Sequence, residues 1–362
     1  MASGSDGRRA RIGVIGTGWW ATYAHLPALT SYPRAEIVAI ADPSPERLAQ
    51  AGEHFGIGSQ FADYRAMLDR GDLDGVVVAT PHAAHYAIAS DVLARRIPLM
   101  LEKPMVLRAR EARELVRLAE QQQVPLIVGY PYHFIGQHAT LRARIAEGAL
   151  GQIQLTHTLF ASMVLEYYRA NPQAYADVFK WQVTGPQPNT YSDPAVAGGG
   201  QGHLQVTHSA ALLLWLTDLR PREVAAFVEG FDLRVDLCDA ISARFEGGAV
   251  GTLASTGGIP AAQSGHQQLE LRLYGTHGYA LLDAMAGTCS IFYNEGKIER
   301  LDDVPADRRY PQESTSRHLV DLILDPEIVN QSPGEIGART VELLEAAYRS
   351  AAERRVVRVD EL

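Results

Sequence analysis

Two glycines one residue apart, a small residue three positions later and a carboxylate about twenty residues beyond can together hold a dinucleotide. The chain carries all four, as Gly16, Gly18, Ala21 and Asp42. Gly16 allows a tight reversal, Gly18 leaves room for a pyrophosphate against the backbone, and Ala21 lets the following helix pack closely on its strand. Asp42 can accept both hydroxyls of a ribose and would repel a 2′-phosphate. Pro43 stands where an arginine would be needed to receive one. NAD is therefore favoured over NADP, although Arg47, one turn into the next helix, could reach a phosphate. Asp42 ahead of Pro43 also suits an ordinary helix cap.

A second group of residues could do redox chemistry beside such a nucleotide. Lys103, in Glu102-Lys103-Pro104, would meet both the nicotinamide ribose and a substrate hydroxyl, and its charge would stabilise a developing alkoxide. Burial near a positive nicotinamide ring should lower its pKa toward the working range of a proton carrier. For Glu102, a ribose contact and a structural salt bridge are equally open. Thr80, Pro81 and His85, at another strand exit, are further nucleotide contacts. Trp19 and Trp20, just past the glycine turn, either wall the nicotinamide pocket or serve as packing. In the helix Gln201 to Leu216 only the first turns are polar, and at 100° per residue Gln201, Gln205 and His208 share a stripe with Leu204 beside it and His203 on the far side. Tyr132, His133 and Tyr167 complete the expected substrate contacts, with Trp181, Asn189 and Tyr191 as less defined candidates, since aromatic faces stack on sugar rings and amides read hydroxyls. His82 and His85 have a metal-like spacing, but no third ligand of suitable type follows, so no metal site is expected.

These groups need a parallel sheet to bring them together. Ile12 to Ile15, Glu36 to Ala41, Gly75 to Ala79, Pro98 to Leu101 and Val124 to Gly129 read as buried strands alternating with helices. Ligands in such sheets sit beyond the carboxyl ends of the strands, where Asp42, Thr80 and Lys103 all fall. After a helix from Gln137 to Glu147 the pattern changes to seven strands, from Gln152 to Tyr293, that read as an antiparallel meander joined by hairpins such as Glu246-Gly247-Gly248. One helix interrupts it, after Ala197-Gly198-Gly199-Gly200. Helices near 316–324 and 335–353 and a short tail close the chain. The fold class expected is an α/β Rossmann domain with a doubly wound parallel sheet, residues 1–129, plus an α+β domain with an open, mainly antiparallel sheet, residues 130–362. The helix 335–353 is expected to pack back on the first domain.

A chain of 362 residues can support two such cores, and a net charge of −9 without a basic stripe argues against nucleic acid as a partner. Only Cys238 and Cys289 are present, far apart, which suits a reducing cytosol and a cytoplasmic location. No apolar run is long enough for a bilayer, and Arg8-Arg9 leads straight into the first strand, so no export signal is read. Met1 to Gly7 reads as a loose end.

The residues from Gly13 to Ala21, Ala41-Asp42, Ala79-Thr80-Pro81 with His85, Glu102-Lys103-Pro104, Gly129-Tyr130, the glycine run with His208, and Ala347 and Ser350 of the last helix resemble the Gfo/Idh/MocA oxidoreductases across nearly the whole chain. The resemblance implies substrate held between the open sheet and the nicotinamide, with His208 matching a frequent proton acceptor. An aspartate four positions earlier often accompanies that histidine, and here the position is Leu204. Arginine often follows the glycine-tyrosine pair, where this chain has Tyr132-His133. The implied activity is hydride transfer between NAD and a secondary alcohol carbon of a sugar, cyclitol or related polyol, with Lys103 and His208 sharing the proton. Two alternatives share the nucleotide site: an NAD-dependent redox glycoside hydrolase, and an NAD-binding regulator without chemistry, for which Leu204 counts slightly. An open sheet with one uncovered apolar face suggests a homodimer or homotetramer.

Overall fold

Strands covered on both faces must be apolar throughout, and in the computed structural model Gly75–Val78, Leu99–Leu101 and Leu126–Val128 of the first sheet obey this, every residue of them being buried. The structure describes residues 7–362, so the loose end expected for Met1 to Gly7 falls, except for Gly7, outside the described residues. The strands are β1 (Ala10–Ile15), β2 (Ala35–Ala41), β3 (Gln60–Phe61), β4 (Gly75–Val78), β5 (Leu99–Leu101) and β6 (Leu126–Val128). They form one parallel sheet in the order β3-β2-β1-β4-β5-β6. Val76, Val77 and Val78 are fully buried at its centre. The order reverses between β1 and β4, which opens a crevice at their carboxyl ends, the place where such sheets bind ligands. The connecting helices stop where their sequences say: Ser44 caps Pro45–Phe55, and Gly56, with φ of 68°, ends it.

The second sheet has nine strands: β7 (Ile153–Ala161), β8 (Pro221–Glu229), β9 (Cys238–Phe245), β10 (Val250–Thr256), β11 (Gln268–Gly275), β12 (Gly278–Asp283), β13 (Thr288–Tyr293), β14 (Ile298–Leu301) and β15 (Val357–Arg358). Their order is β14-β13-β12-β11-β7-β10-β9-β8-β15. This corrects the simple meander. β7 lies between β10 and β11 and runs parallel to β10, so two antiparallel runs flank an inserted strand. Alternation of apolar residues fixes the faces of a strand but not its neighbours, and the pairing was therefore not readable. The closing tail is also more ordered than its sequence suggests, because β15 pairs with β8 at the sheet edge.

Two late helices tie the sheets together. Ser314–Leu324 returns to the first sheet, where Leu319 and Val320 join the core around β1 and Tyr32 donates to Asp321 at 2.6 Å. Gly334–Glu353 lies against the helix Ala109–Gln122, with Arg113 paired to Glu335 at 2.6 Å and to Glu342, while Ser350 Oγ accepts the amide of Ala226 in β8 at 3.0 Å. The segment between β14 and Ser314 thus crosses from one sheet to the other. It carries three residues of the cavity lining, Ala306, Arg309 and Tyr310.

Candidate active site

A cavity of about 1110 Å³ runs from the glycine turn to the inner face of the second sheet. At its first end the backbone is constrained in a way only glycine satisfies. Gly16 has φ of 90°, and a Cβ there would lie 2.4 Å from Ala79 O. Gly18 differs: a Cβ there would meet nothing within 4 Å, because it faces the open cavity. That room, above the first amides of a helix that have no partner inside it, is a cradle for a pyrophosphate. Asp42 closes this end. Its Oδ2 accepts the amide of Thr17 at 2.9 Å and its Oδ1 accepts the amide of Ser44 at 2.8 Å and the Arg47 guanidinium at 2.7 Å. Asp42 is therefore held at the end of β2 by the turn it helps to shape, and Arg47 is committed to it. Thr80 Oγ1 is buried without a partner on the same wall, as a ligand-facing hydroxyl would be. These features fit a bound dinucleotide.

At the other end Lys103 and His208 line the same cavity. Lys103 follows β5, and its Nζ donates to Leu204 O at 3.1 Å. Burial brings its pKa down to about 8, with the Glu102 carboxylate opposing the shift. Glu102 is turned partly inward: His25 Nε2 donates to its Oε1 at 2.9 Å, and its Oε2 accepts the Lys103 amide at 3.1 Å. Burial would raise the Glu102 pKa, but the His25 hydrogen bond and the charges of His25 and Lys103 outweigh it, so the carboxyl stays below its ordinary value. His208 sits in an aromatic box, its ring 5.7 Å from Tyr132, 6.1 Å from Tyr310 and 6.2 Å from Tyr130. Burial first, then the Lys103 charge and His133, hold its pKa well below the usual histidine value, so the imidazole is neutral and ready to accept a proton.

Both partners of the Glu102-Lys103 pair come from widened helical turns. His25 ends a π-helical segment, Ala21–His25, and Leu204 lies in another, Gly202–Val206. Widening shifts amides from the fourth to the fifth preceding carbonyl and is common at functional sites. Here it places one imidazole on Glu102 and one main-chain carbonyl on Lys103.

The π turn also corrects the expected polar stripe. Gln205 and His208 reach the cavity, but Gln201, ahead of the widened turn, is rotated off it. Gln201 is fully buried behind the wall, where its amide donates to Ser255 Oγ at 2.8 Å and Ser162 Oγ at 3.1 Å and accepts from Tyr168 at 2.9 Å. His133 is likewise not on the wall. Its ring stacks on Trp215 at 4.8 Å and its Nδ1 lies 3.1 Å from Ser332 Oγ, because the turn after β6 directs it into the core. His85 stands one layer back, with Nδ1 2.8 Å from Pro104 O and Nε2 2.9 Å from Thr80 O, so it ties the two strand exits together. His203 stacks on Tyr348, away from the cavity.

Tyr132, Tyr167, Trp19, Trp20 and Pro81 are on the wall as expected. Trp19 does both of its candidate jobs: it lines the cavity and packs in an aromatic cluster, donating to Tyr191 Oη at 2.9 Å. Sequence reasoning missed Phe160, Gln267, Arg309 and Tyr310, which also face the cavity. Phe160 had a signal, being on an inward position of β7. The Arg309-Tyr310 pair had none, since it lies on an irregular connection.

Comparison with known proteins bears on this arrangement. Residues 10–130 match the family model described as "Oxidoreductase family, NAD-binding Rossmann fold", and residues 138–281 match the model of the GFO/IDH/MocA C-terminal domain. The chain belongs to the Gfo/Idh/MocA oxidoreductases. In this family the first sheet is the NAD-binding domain, in keeping with Gly16, Gly18 and Thr80 at its crevice. The rhizopine catabolism protein MocA of Rhizobium meliloti is 30% identical over 59% of this chain and 59% of its own length. D-apiose dehydrogenase of Rhizobium rhizogenes is 30% identical over 38% of this chain and 40% of its own. The match thus spans roughly half the length of these curated relatives. A solved structure, GenD2 from gentamicin A biosynthesis in complex with NAD, covers 99% of both chains with 25% identity and a TM-score of 0.77.

Proposed function

We propose that this Gfo/Idh/MocA protein transfers a hydride between NAD and a secondary alcohol carbon of a sugar, cyclitol or related polyol. The observation that carries the reading is that Lys103 Nζ and the neutral His208 line one cavity that continues to the glycine turn. NAD, when bound, supplies the hydride acceptor at C4 of its nicotinamide. Lys103 and His208 handle the proton. The Leu204 carbonyl fixes the Lys103 ammonium, which stabilises the alkoxide that forms as the substrate hydroxyl loses its proton. His208, kept neutral by burial, accepts that proton, and in reduction it returns it. Tyr132, Tyr167 and Tyr310 exclude water around the reacting carbon and offer faces for a sugar ring. The sugar class is supported by the D-apiose dehydrogenase relative.

The test is a panel of sugars, sugar acids, cyclitols and glycosides assayed for NADH formation, with NADP in parallel. Lys103→Ala should lower turnover by roughly a thousandfold, while NAD binding, followed by tryptophan fluorescence, stays near the wild-type value. Full activity in that variant ends the proposal. Release of aglycone from aryl glycosides without added cofactor would favour the hydrolase instead. Assembly into a homodimer or homotetramer fits the exposed Leu155, Phe227 and Val250 of the second sheet and is checked by sedimentation. Among the described residues, no helix is long and apolar enough to cross a membrane.

A further inference from the structure

Three arginines line the cavity, and two are already matched by carboxylates. Arg47 is paired with Asp42 at 2.7 Å and Arg65 with Asp91 at 3.0 Å. Arg309 is the exception: among the described residues it has no ion pair. It is nevertheless firmly seated. Nε donates to Val304 O at 2.9 Å and Nη1 donates to Met285 O at 2.8 Å, so two main-chain carbonyls from different turns hold the guanidinium plane. The seat depends on Gly287, where φ is 73° and a Cβ would lie 2.4 Å from Val304 O and 2.7 Å from Arg309 Nε. Nη2 makes no hydrogen bond within the described chain. A partly buried guanidinium that is oriented but lacks a counter-charge has paid for its placement without an acceptor to complete it.

Its surroundings put it at the reacting end. Tyr310, the next residue, has its ring 5.4 Å from Tyr132 and 6.1 Å from His208, and Met285 is also on the cavity wall. Among the described residues, the only carboxylate on this part of the wall is Glu102, which is engaged by His25 and by the Lys103 amide. Leu204 is apolar where a further carboxylate could have stood. The substrate end therefore presents two cations, Lys103 and Arg309, and no free anion.

We propose that the physiological substrate is a sugar acid, a polyol bearing a carboxylate that Arg309 receives through Nη2 while Lys103 and His208 address the hydroxyl to be oxidised. This rests on the oxidoreductase reading and adds the substrate's charge to it. A guanidinium with one free edge suits a planar carboxylate, and a charge-assisted hydrogen bond of this kind accounts for selection over the neutral parent sugar.

The experiment compares matched pairs on the NAD-loaded protein: D-glucuronate and D-gluconate against D-glucose, and D-galacturonate against D-galactose, with glucose 6-phosphate as a second anion. Binding is measured by calorimetry and turnover by NADH formation. At least one acid should be favoured over its parent by about tenfold to a hundredfold, mainly in binding and KM. Arg309→Gln should erase most of that ratio, and Arg309→Lys should restore part of it. Equal affinity for acids and parents, an Arg309→Gln variant that keeps the preference, or a preference for the phosphate ester alone would overturn the assignment. NADH formation from neutral sugars that depends on Lys103 would then leave the oxidoreductase reading standing. Absence of NADH formation across the whole panel would count against that reading, while calorimetry would still decide whether Arg309 selects an acid.

Discussion

The two ends of the cavity are built on different principles. At the nucleotide end the requirements fall on the backbone: a reversal at Gly16, open space at Gly18, and a carboxylate at the end of β2 that caps the turn it faces. At the substrate end they fall on side chains gathered from distant segments, with Trp19, Tyr132, Tyr167, His208 and Tyr310 enclosing the space. A backbone requirement is met by few residue types and is local in sequence. A packing requirement can be met by many residues and depends on topology.

The contrast is tested most severely at the two glycines. In Gly16→Ala the new methyl cannot avoid Ala79 O, and the positive φ adds strain of about 1–3 kcal/mol, so NAD binding should be lost with a clear fall in melting temperature. Gly18→Ala meets no protein atom, so its melting temperature should match wild type while NAD binding weakens about tenfold. Fluorescence titration with NADH and thermal melts read both effects. If the two variants behaved alike, the backbone account of this end would fail.

At the substrate end the largest effect belongs to His208. His208→Asn should lower turnover by roughly a hundredfold to a ten-thousandfold with little change in NADH affinity. Loss of nucleotide binding in that variant would mean that the histidine supports the cavity as a whole.

The same division explains what the sequence revealed. The parallel first sheet, the glycine turn, Asp42 and the position of Lys103 follow from local pattern and from the rule that ligands sit at carboxyl ends. The two π segments were invisible, because nothing in Ala21–His25 or Gly202–Val206 departs from an ordinary helical composition. Gln201 was therefore misplaced by assuming a constant 100° per residue. His133 was misplaced because a residue just past a strand can turn either toward the crevice or into the core, and its stacking on Trp215 is a contact between segments far apart in sequence. Arg309 escaped because its role depends on a segment crossing between sheets whose pairing order could not be read.

A finer test concerns the proton. With its pKa brought down to about 8, Lys103 loses the ammonium that stabilises the alkoxide as pH rises, so the oxidation rate should be level below about 8 and fall above it. Reduction, in which the same ammonium faces the carbonyl oxygen, should fall over the same range. Leu204→Asp would place a carboxylate close to Lys103 and His208 and should move the break upward by about one unit. A profile unchanged by Leu204→Asp would separate the observed break from Lys103.

The smallest effect lies behind the substrate end, where the first turn of the His208 helix is anchored. Asp236 accepts the amides of Gly200 and Gly202 at 2.7 Å each and the Tyr348 hydroxyl at 3.0 Å. Its neighbour Asp239 is pushed up to about 9, by burial first and then by the charge of Asp236. The folded protein therefore keeps Asp239 protonated across a range where the unfolded chain ionises it. A group with its folded pKa raised contributes stability in acid that is lost as pH rises toward the folded value, here between the ordinary carboxylate range and about 9. Asp239→Asn cannot ionise. Its melting temperature should consequently fall less than that of wild type between pH 6 and pH 9, leaving the variant higher by a few degrees at the alkaline end. Parallel curves would mean that Asp239 does not hold its proton in the folded state, and that the anchor of the His208 helix tolerates two adjacent negative charges.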